Sequence, residues 1–159
     1  MCRLEDQEFY EGIRRFLATV NIIKELKDLT ILQIATRPSG FWTMMVNEGE
    51  LLEKFNIKIH PVTLAEVKDE MDAVEQNKKD EVIDYLKKET IIEISDEALV
   101  KVAALKVAIK SIAKRYNCKA AAVQCWNAMQ GVLGIFPCAA NALLTDEKFP
   151  VACETDIHG

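Results

Sequence analysis

Leu29-Thr-Ile-Leu-Gln-Ile-Ala35, followed at once by Thr36-Arg37-Pro38-Ser39-Gly40, decides the fold class. The first seven residues are rich in β-formers and carry no charge, which reads as a buried strand. The next five are turn chemistry. Helical periodicity flanks the strand on both sides. Upstream, Ile13, Phe16, Leu17, Val20 and Ile23 recur at helical spacing and predict a helix from about Asp6 to Leu26. Downstream, Asn47 predicts a cap, with Glu48 and Glu50 in the first turn of a helix reaching Phe55.

The alternation continues along the chain. Ile57 to Val62 reads as a short strand, and Thr63 as the cap of a helix starting at Leu64, with Glu66 at the capping-box position. The charge-rich stretch from Glu66 to Glu89 predicts two solvated helices broken near Gln76-Asn77. Ser95 opens a further helix whose Leu99, Val102, Leu105, Ile109 and Ile112 form one apolar stripe. Its ends, Asp96 and Glu97 at the start and Lys114 and Arg115 at the finish, complement the helix dipole. Ala120 to Cys125 reads as a buried strand, Gly131 and Gly134 as a bend, Cys138 to Leu144 as a short helix, and Phe149 to Cys153 as a last strand. Strands separated by helices predict an α/β fold, a mostly parallel open sheet flanked by helices on both faces.

Composition narrows the function. The chain has 159 residues, 50% of them hydrophobic, and a net charge of -5. The hydrophobic share supplies a core of the size one domain needs. The acidic balance argues against a nucleic-acid partner, which would need a basic face. The longest nearly apolar stretch, Gly131 to Leu144, is interrupted by Pro137 and Asn141 and is too short for a membrane span. No signal-peptide pattern opens the chain, so a cytoplasmic location is expected. The five cysteines, Cys2, Cys118, Cys125, Cys138 and Cys153, show no C-x-x-C spacing and read as free thiols.

In open α/β sheets ligands bind beyond the carboxyl ends of the strands, which turns the strand assignment into a list of candidate residues. The densest strand end is Glu154-Thr-Asp156-Ile-His158. If the last strand continues through it, alternation puts two carboxylates and an imidazole on one face, a site for a hard cation such as Mn²⁺ or Mg²⁺. Otherwise it is a polar loop. Gln124, Trp126 and Asn127 follow another strand, and polar groups around an indole suit a sugar. Trp126 could equally cap the core. Arg37 could face an anion or a carboxylate of a ligand, a structural ion pair being the expected fate; His60 is expected to be a satisfied loop histidine, and Phe41, Trp42, Met44 and Met45 to form a packed cluster, at a subunit contact if the domain only builds an oligomer. Cys125 has no His or acid near it in sequence, so it is not read as a nucleophile.

Four segments carry a resemblance: Ala122-Val-Gln-Cys-Trp126, Gly134-Ile-Phe-Pro-Cys138, Leu143-Leu-Thr-Asp146 and Pro150-Val-Ala-Cys-Glu154-Thr-Asp156-Ile-His-Gly159. Together they resemble the L-fucose isomerase-like family of sugar isomerases. The run from Ile31 to Pro38, with Asn47-Glu48 and Leu51-Leu52, is similar to that family's Rossmann-like middle domain. The resemblance implies an aldose–ketose isomerase that uses Mn²⁺, moves a proton between C1 and C2 through an enediol, and forms a homo-oligomer when full length. By similarity Glu154 and Asp156 are the metal and acid–base residues, with His158 behind them. Asn141 stands where fucose isomerases carry a further acidic ligand. The resemblance also implies that residues 1–145 are the middle domain and 146–159 the first strand of the next, a piece of a longer enzyme that is inactive alone. The alternative is a non-enzymatic sugar-binding module working without metal around Gln124 and Trp126.

Overall fold

A computed structural model of the chain describes residues 3–159, so Cys2 lies outside the described residues. The chain divides into two compact units, one made of the residues up to Leu29 with Asn47–Lys58, the other of Thr30–Val46 with Ile59–Gly159.

The smaller unit holds α1 (Gln7–Leu26) and α2 (Glu48–Phe55). The Asn47 side chain caps α2 as expected, accepting from the Glu50 N–H at 3.1 Å. Asn56 ends the helix in the left-handed conformation, at φ 55°. The predicted stripe of α1 is present as a helix but is not covered, since no described residue of α1 is buried and Phe16 is 64% exposed. Periodicity specifies an amphipathic helix; it does not specify what lies against it.

The larger unit is built on a four-stranded sheet of β1 (Thr30–Ile34), β2 (Lys58–Val62), β3 (Ala120–Val123) and β4 (Val151–Cys153), in the order β2-β1-β3-β4. β1 and β3 run parallel with Leu32 opposite Ala121 and Ile34 opposite Val123. β3 and β4 run parallel with Ala121 opposite Val151 and Val123 opposite Cys153. Alternation sends Leu32, Ile34, Ala121 and Val123 to one face, where they join the core. That core is shared with α3 (Leu64–Ala73), α4 (Gln76–Glu89), α5 (Asp96–Arg115) and α7 (Cys138–Asp146).

α5 is the spine of the core. Its stripe residues Leu105, Ile109 and Ile112 are fully buried, and each contributes about 1.5–3 kcal/mol by leaving water. The Ser95 hydroxyl accepts from the Ala98 N–H at 3.2 Å, which fixes where the helix starts. Thr63 caps α3 in the same way. Glu66, at the capping-box position, instead accepts from the Tyr116 hydroxyl at 3.1 Å. Together with Ser111 and Arg115, which both donate to Glu70, it ties α3 to α5. His60 lies within β2 rather than in a loop and stacks on the Tyr116 ring with centroids 3.8 Å apart.

Among the described residues no single helix is long and apolar enough to cross a membrane; one pair, Cys125–Leu133 with Cys138–Asp146, has the length and composition together but is bent by 107°.

Candidate functional site at the carboxyl rim of the sheet

The strand order reverses between β1 and β3. β2 follows β1 to one side, and β3 and β4 lie to the other. This is the topological switch point of an open parallel sheet, where the connections leave in opposite directions and open a crevice at the carboxyl ends. The rim carries Ala35 to Arg37 after β1, Gln124 to Asn127 after β3, and Glu154 and Thr155 after β4. Gln124 links the ends of β3 and β1, its side-chain oxygen accepting from the Thr36 N–H at 3.4 Å.

β4 stops at Cys153 and does not run on through Asp156. Glu154 and Thr155 are both left-handed, each at φ 58°, and the Asp156 N–H returns to the Cys153 carbonyl at 3.0 Å. The chain therefore makes a tight turn whose two central residues have positive φ. Strand alternation through Glu154, Asp156 and His158 is not formed. Asp156 uses one carboxylate oxygen, Oδ1, to accept from the backbone N–H groups of His158 at 3.2 Å and Gly159 at 3.1 Å. His158 is exposed.

The turn aims Glu154 back at β3. The Cys125 thiol donates to Glu154 Oε1 at 2.7 Å. Burial, then the Glu154 hydrogen bond, and then the neighbouring Cys153 push the Cys125 thiol up to about 12, so it is a protonated donor at neutral pH. Asn141, on the first turns of α7 and only 5% exposed, donates to Cys153 Sγ at 3.4 Å. The Thr155 N–H donates to the Val123 carbonyl at 3.0 Å, which pins the turn to the sheet.

These bonds leave a set of acceptors unused. Glu154 Oε2, Asn141 Oδ1 and Thr155 Oγ1 are buried without a hydrogen-bond partner, as is Gln130 Oε1 on α6 (Gln130–Leu133). A buried polar atom left unpaired costs about 1–3 kcal/mol. Thr155 adds the strain of a β-branched residue in the left-handed region. Hard oxygen atoms without partners fit either the hydroxyl protons of a polyol or a divalent cation. Among the described residues, no group of three or more His, Cys, Asp or Glu side chains stands where it could hold a metal ion. The chain's own contribution to a cation would be Glu154 with the Asn141 oxygen, since Asp156 lies instead on a cavity lined by Ile31, Ala120, Ala122 and Val151.

The other sequence-predicted residues divide in two. Gln124, Trp126 and Asn127 do share the rim, with Asn127 left-handed at φ 61°. Trp126 is 57% exposed rather than a lid on the core, and meets Phe41 edge-on with centroids 5.5 Å apart. Trp42 is 69% exposed, so Phe41, Trp42, Met44 and Met45 are not a packed cluster. Arg37 has no carboxylate within 4.0 Å among the described residues, and its guanidinium lies over the Trp42 ring, 4.8 Å from the centroid. Thr155 and the contact between Cys125 and Glu154 were not legible in the sequence, and Asn141 stood out only through the resemblance, at the position of an acidic ligand. Its own pattern signal is a lone polar side chain inside the apolar run Ala139-Ala-Asn-Ala-Leu-Leu144.

No protein-family profile matches the chain. Individual relatives do. The chain is 26% identical over 156 residues to sulfoquinovose isomerase of Priestia aryabhattai and to that of Priestia megaterium, covering 98% of this chain and 35% of each relative. It is 27% identical over 150 residues to sulfoquinovose isomerase of Alkalicoccus urumqiensis, covering 94% of this chain and 34% of that one. The chain thus spans about a third of the length of the curated relatives it matches, and over nearly its whole length it is similar to proteins named as sugar isomerases.

Proposed function

We propose that this chain forms the metal- and sugar-handling α/β part of an aldose–ketose isomerase that works by enediol proton transfer, of the L-fucose isomerase-like kind, with Mn²⁺ as its cofactor and a sugar of the relatives' class as its substrate. One observation carries the reading. A half-buried carboxylate, Glu154, stands at the carboxyl rim with one oxygen held by a thiol and the other buried and unpartnered, as are side-chain oxygens of Asn141 and Thr155. The similarity to sulfoquinovose isomerases supports it.

In this reading Glu154 holds the cation and carries the proton between C1 and C2, while Asp156, the other carboxylate of the motif, lies on a neighbouring cavity. When bound, the ion supplies Lewis-acid stabilisation of the negative charge that builds on the sugar oxygens. The Cys125 bond to Oε1 fixes the Glu154 carboxylate in one rotamer, which leaves Oε2 to face the ligand. Gln124 and Asn127 offer amide groups to hydroxyls of the sugar, and Trp126 presents an indole face to the apolar side of the ring.

The test is a chimera in which this chain replaces the matched segment of the Priestia megaterium relative. Mn²⁺-dependent isomerisation is expected, with solvent deuterium entering the product at the exchanged carbon. Glu154→Gln in the folded chimera should lower kcat by at least ~100-fold, the scale of a positioned acid–base group. Undiminished turnover in that variant would overturn the assignment. Mn²⁺ titration of the 159-residue chain by electron paramagnetic resonance supplies a readout independent of turnover, and binding unaffected by Glu154→Gln would also count against it.

A further inference from the structure

The smaller unit has no core of its own. Neither α1 nor α2 has a buried residue among those described. On α1, Tyr10, Ile13, Phe16, Leu17, Val20 and Ile23 are each between 42% and 64% exposed. Leu52 and Phe55 of α2 are half exposed as well. A contiguous apolar face of this size is an interaction surface rather than ordinary scatter. A 20-residue helix is also marginal in water by itself and draws its stability from whatever covers its stripe.

Three features of α1 fit a second copy of the same chain. The spacing is that of a seam between helices: Ile13, Phe16, Val20 and Ile23 alternate intervals of three and four, the a and d positions of a heptad, with Leu17 beside them. The charge is split along the helix. Asp6, Glu8 and Glu11 occupy its start, whereas Arg14, Arg15, Lys24 and Lys27 follow, against Glu25. Arg15 reaches Glu11 of its own helix only at 3.8 Å, with both side chains exposed. An antiparallel pair of identical helices lays the acidic start of each beside the basic remainder of the other and opposes the two dipoles, in a contact that closes with two-fold symmetry. The area suffices: at roughly 100 Å² for each of the six side chains, a pair removes about 1,200 Å² from water, the lower end of a stable interface.

We infer that α1 is a self-association surface, on which two copies of the chain pair helix against helix in an antiparallel, two-fold contact. No residue of the carboxyl rim enters it, so it stands or falls independently of the sugar reading.

Sedimentation equilibrium of the 159-residue chain tests this. A reversible equilibrium between the 17.9 kDa chain and twice that mass is expected. Phe16→Asp should weaken the dimer at least ~30-fold, the scale of a central apolar anchor. Ile91→Asp, at an apolar position of the larger unit that is 86% exposed, should leave the dimer unchanged. Phe16 lies outside the buried core, so the Phe16→Asp chain should keep the urea midpoint of wild-type monomer. Glu8→Lys with Glu11→Lys reads the orientation and leaves every apolar residue in place. It removes the charge complementarity of an antiparallel pair and should weaken the dimer, whereas in a parallel pair like charge would still face like charge and the affinity would not move. A wild-type chain that stays monomeric at ~100 μM, where an interface of this size associates, would overturn the surface and leave the stripe to a different polypeptide segment. A dimer that survives Phe16→Asp, or that Ile91→Asp dissociates, would overturn it too. An affinity indifferent to the two glutamate substitutions would overturn the antiparallel contact.

Discussion

Replacing Cys125 tests whether the thiol or merely the packing holds Glu154. Cys125 is 5% exposed, and its thiol is the hydrogen-bond partner found for Glu154 Oε1. Cys125→Val keeps the volume roughly constant and removes the donor, so Oε1 loses its partner next to the already unpartnered, buried Oε2. That should cost about 1–3 kcal/mol, set against a smaller gain from the more apolar side chain. Cys125→Ser keeps a donor in the same place and should stay within about 1 kcal/mol of wild type. With a urea m-value of roughly 1–3 kcal/mol/M, the valine variant should unfold around 1 M earlier than the serine variant at pH 7. Circular dichroism during urea titration reads this directly. In a Glu154→Leu background the difference between Val and Ser should vanish, because there is no carboxylate left to satisfy. A valine variant as stable as the serine one, with Glu154 in place, would refute the account and leave Cys125 as a packing residue.

Two further outcomes follow from the fold. The Glu70 carboxyl is held below the usual range by the Ser111 hydrogen bond and then by Arg115, so its stabilising effect is present above the unfolded value of about 4.3 and lost as pH falls through the lower folded value. The stability gap between wild type and Glu70→Gln, measured by urea unfolding, should be level from pH 7 to 5 and close on further acidification; a gap of the same size at pH 3 would exclude this origin. Leu105→Ala empties a fully buried position on α5 and should cost about 2–5 kcal/mol in thermal or urea unfolding, whereas a loss under about 1 kcal/mol would mean that α5 is not the spine of the core.

Local sequence carried the scaffold because each element announces itself within a few residues. Leu29 to Ala35 is uncharged and β-rich, and β1 occupies Thr30–Ile34. Asn47, Thr63 and Ser95 each cap the helix that was expected to follow. The charged stretch breaks between α3 and α4 at Val74-Glu75, next to the predicted Gln76-Asn77. What stayed hidden depends on contacts distant in sequence. Cys125 and Glu154 are 29 residues apart and meet because β3 and β4 pair in one register. The Glu154-Thr155 turn has neither Gly nor Asn to mark it, so continuing the strand was the natural reading. Arg37 shows the reverse case: an ion pair was the expected fate, and among the described residues the tertiary structure provides no carboxylate for it.

The distribution of these exceptions is itself an argument about where function lies. Among the described residues, the left-handed positions that are neither Gly nor Asn are Ala35, Lys148, Glu154 and Thr155. Three of the four stand at the carboxyl ends of β1 and β4, on one rim of the sheet. Asn127, also left-handed, follows β3 on the same rim. The unpartnered buried oxygens of Glu154 and Thr155, the arginine without a counter-ion and the two exposed tryptophans lie there as well. A domain selected only for stability would have no reason to gather strain, unsatisfied acceptors and exposed indoles along one edge while α5 and its partners obey every local rule. A ligand seated on this rim, as proposed above, would cover the exposed indoles and give the half-buried arginine a partner.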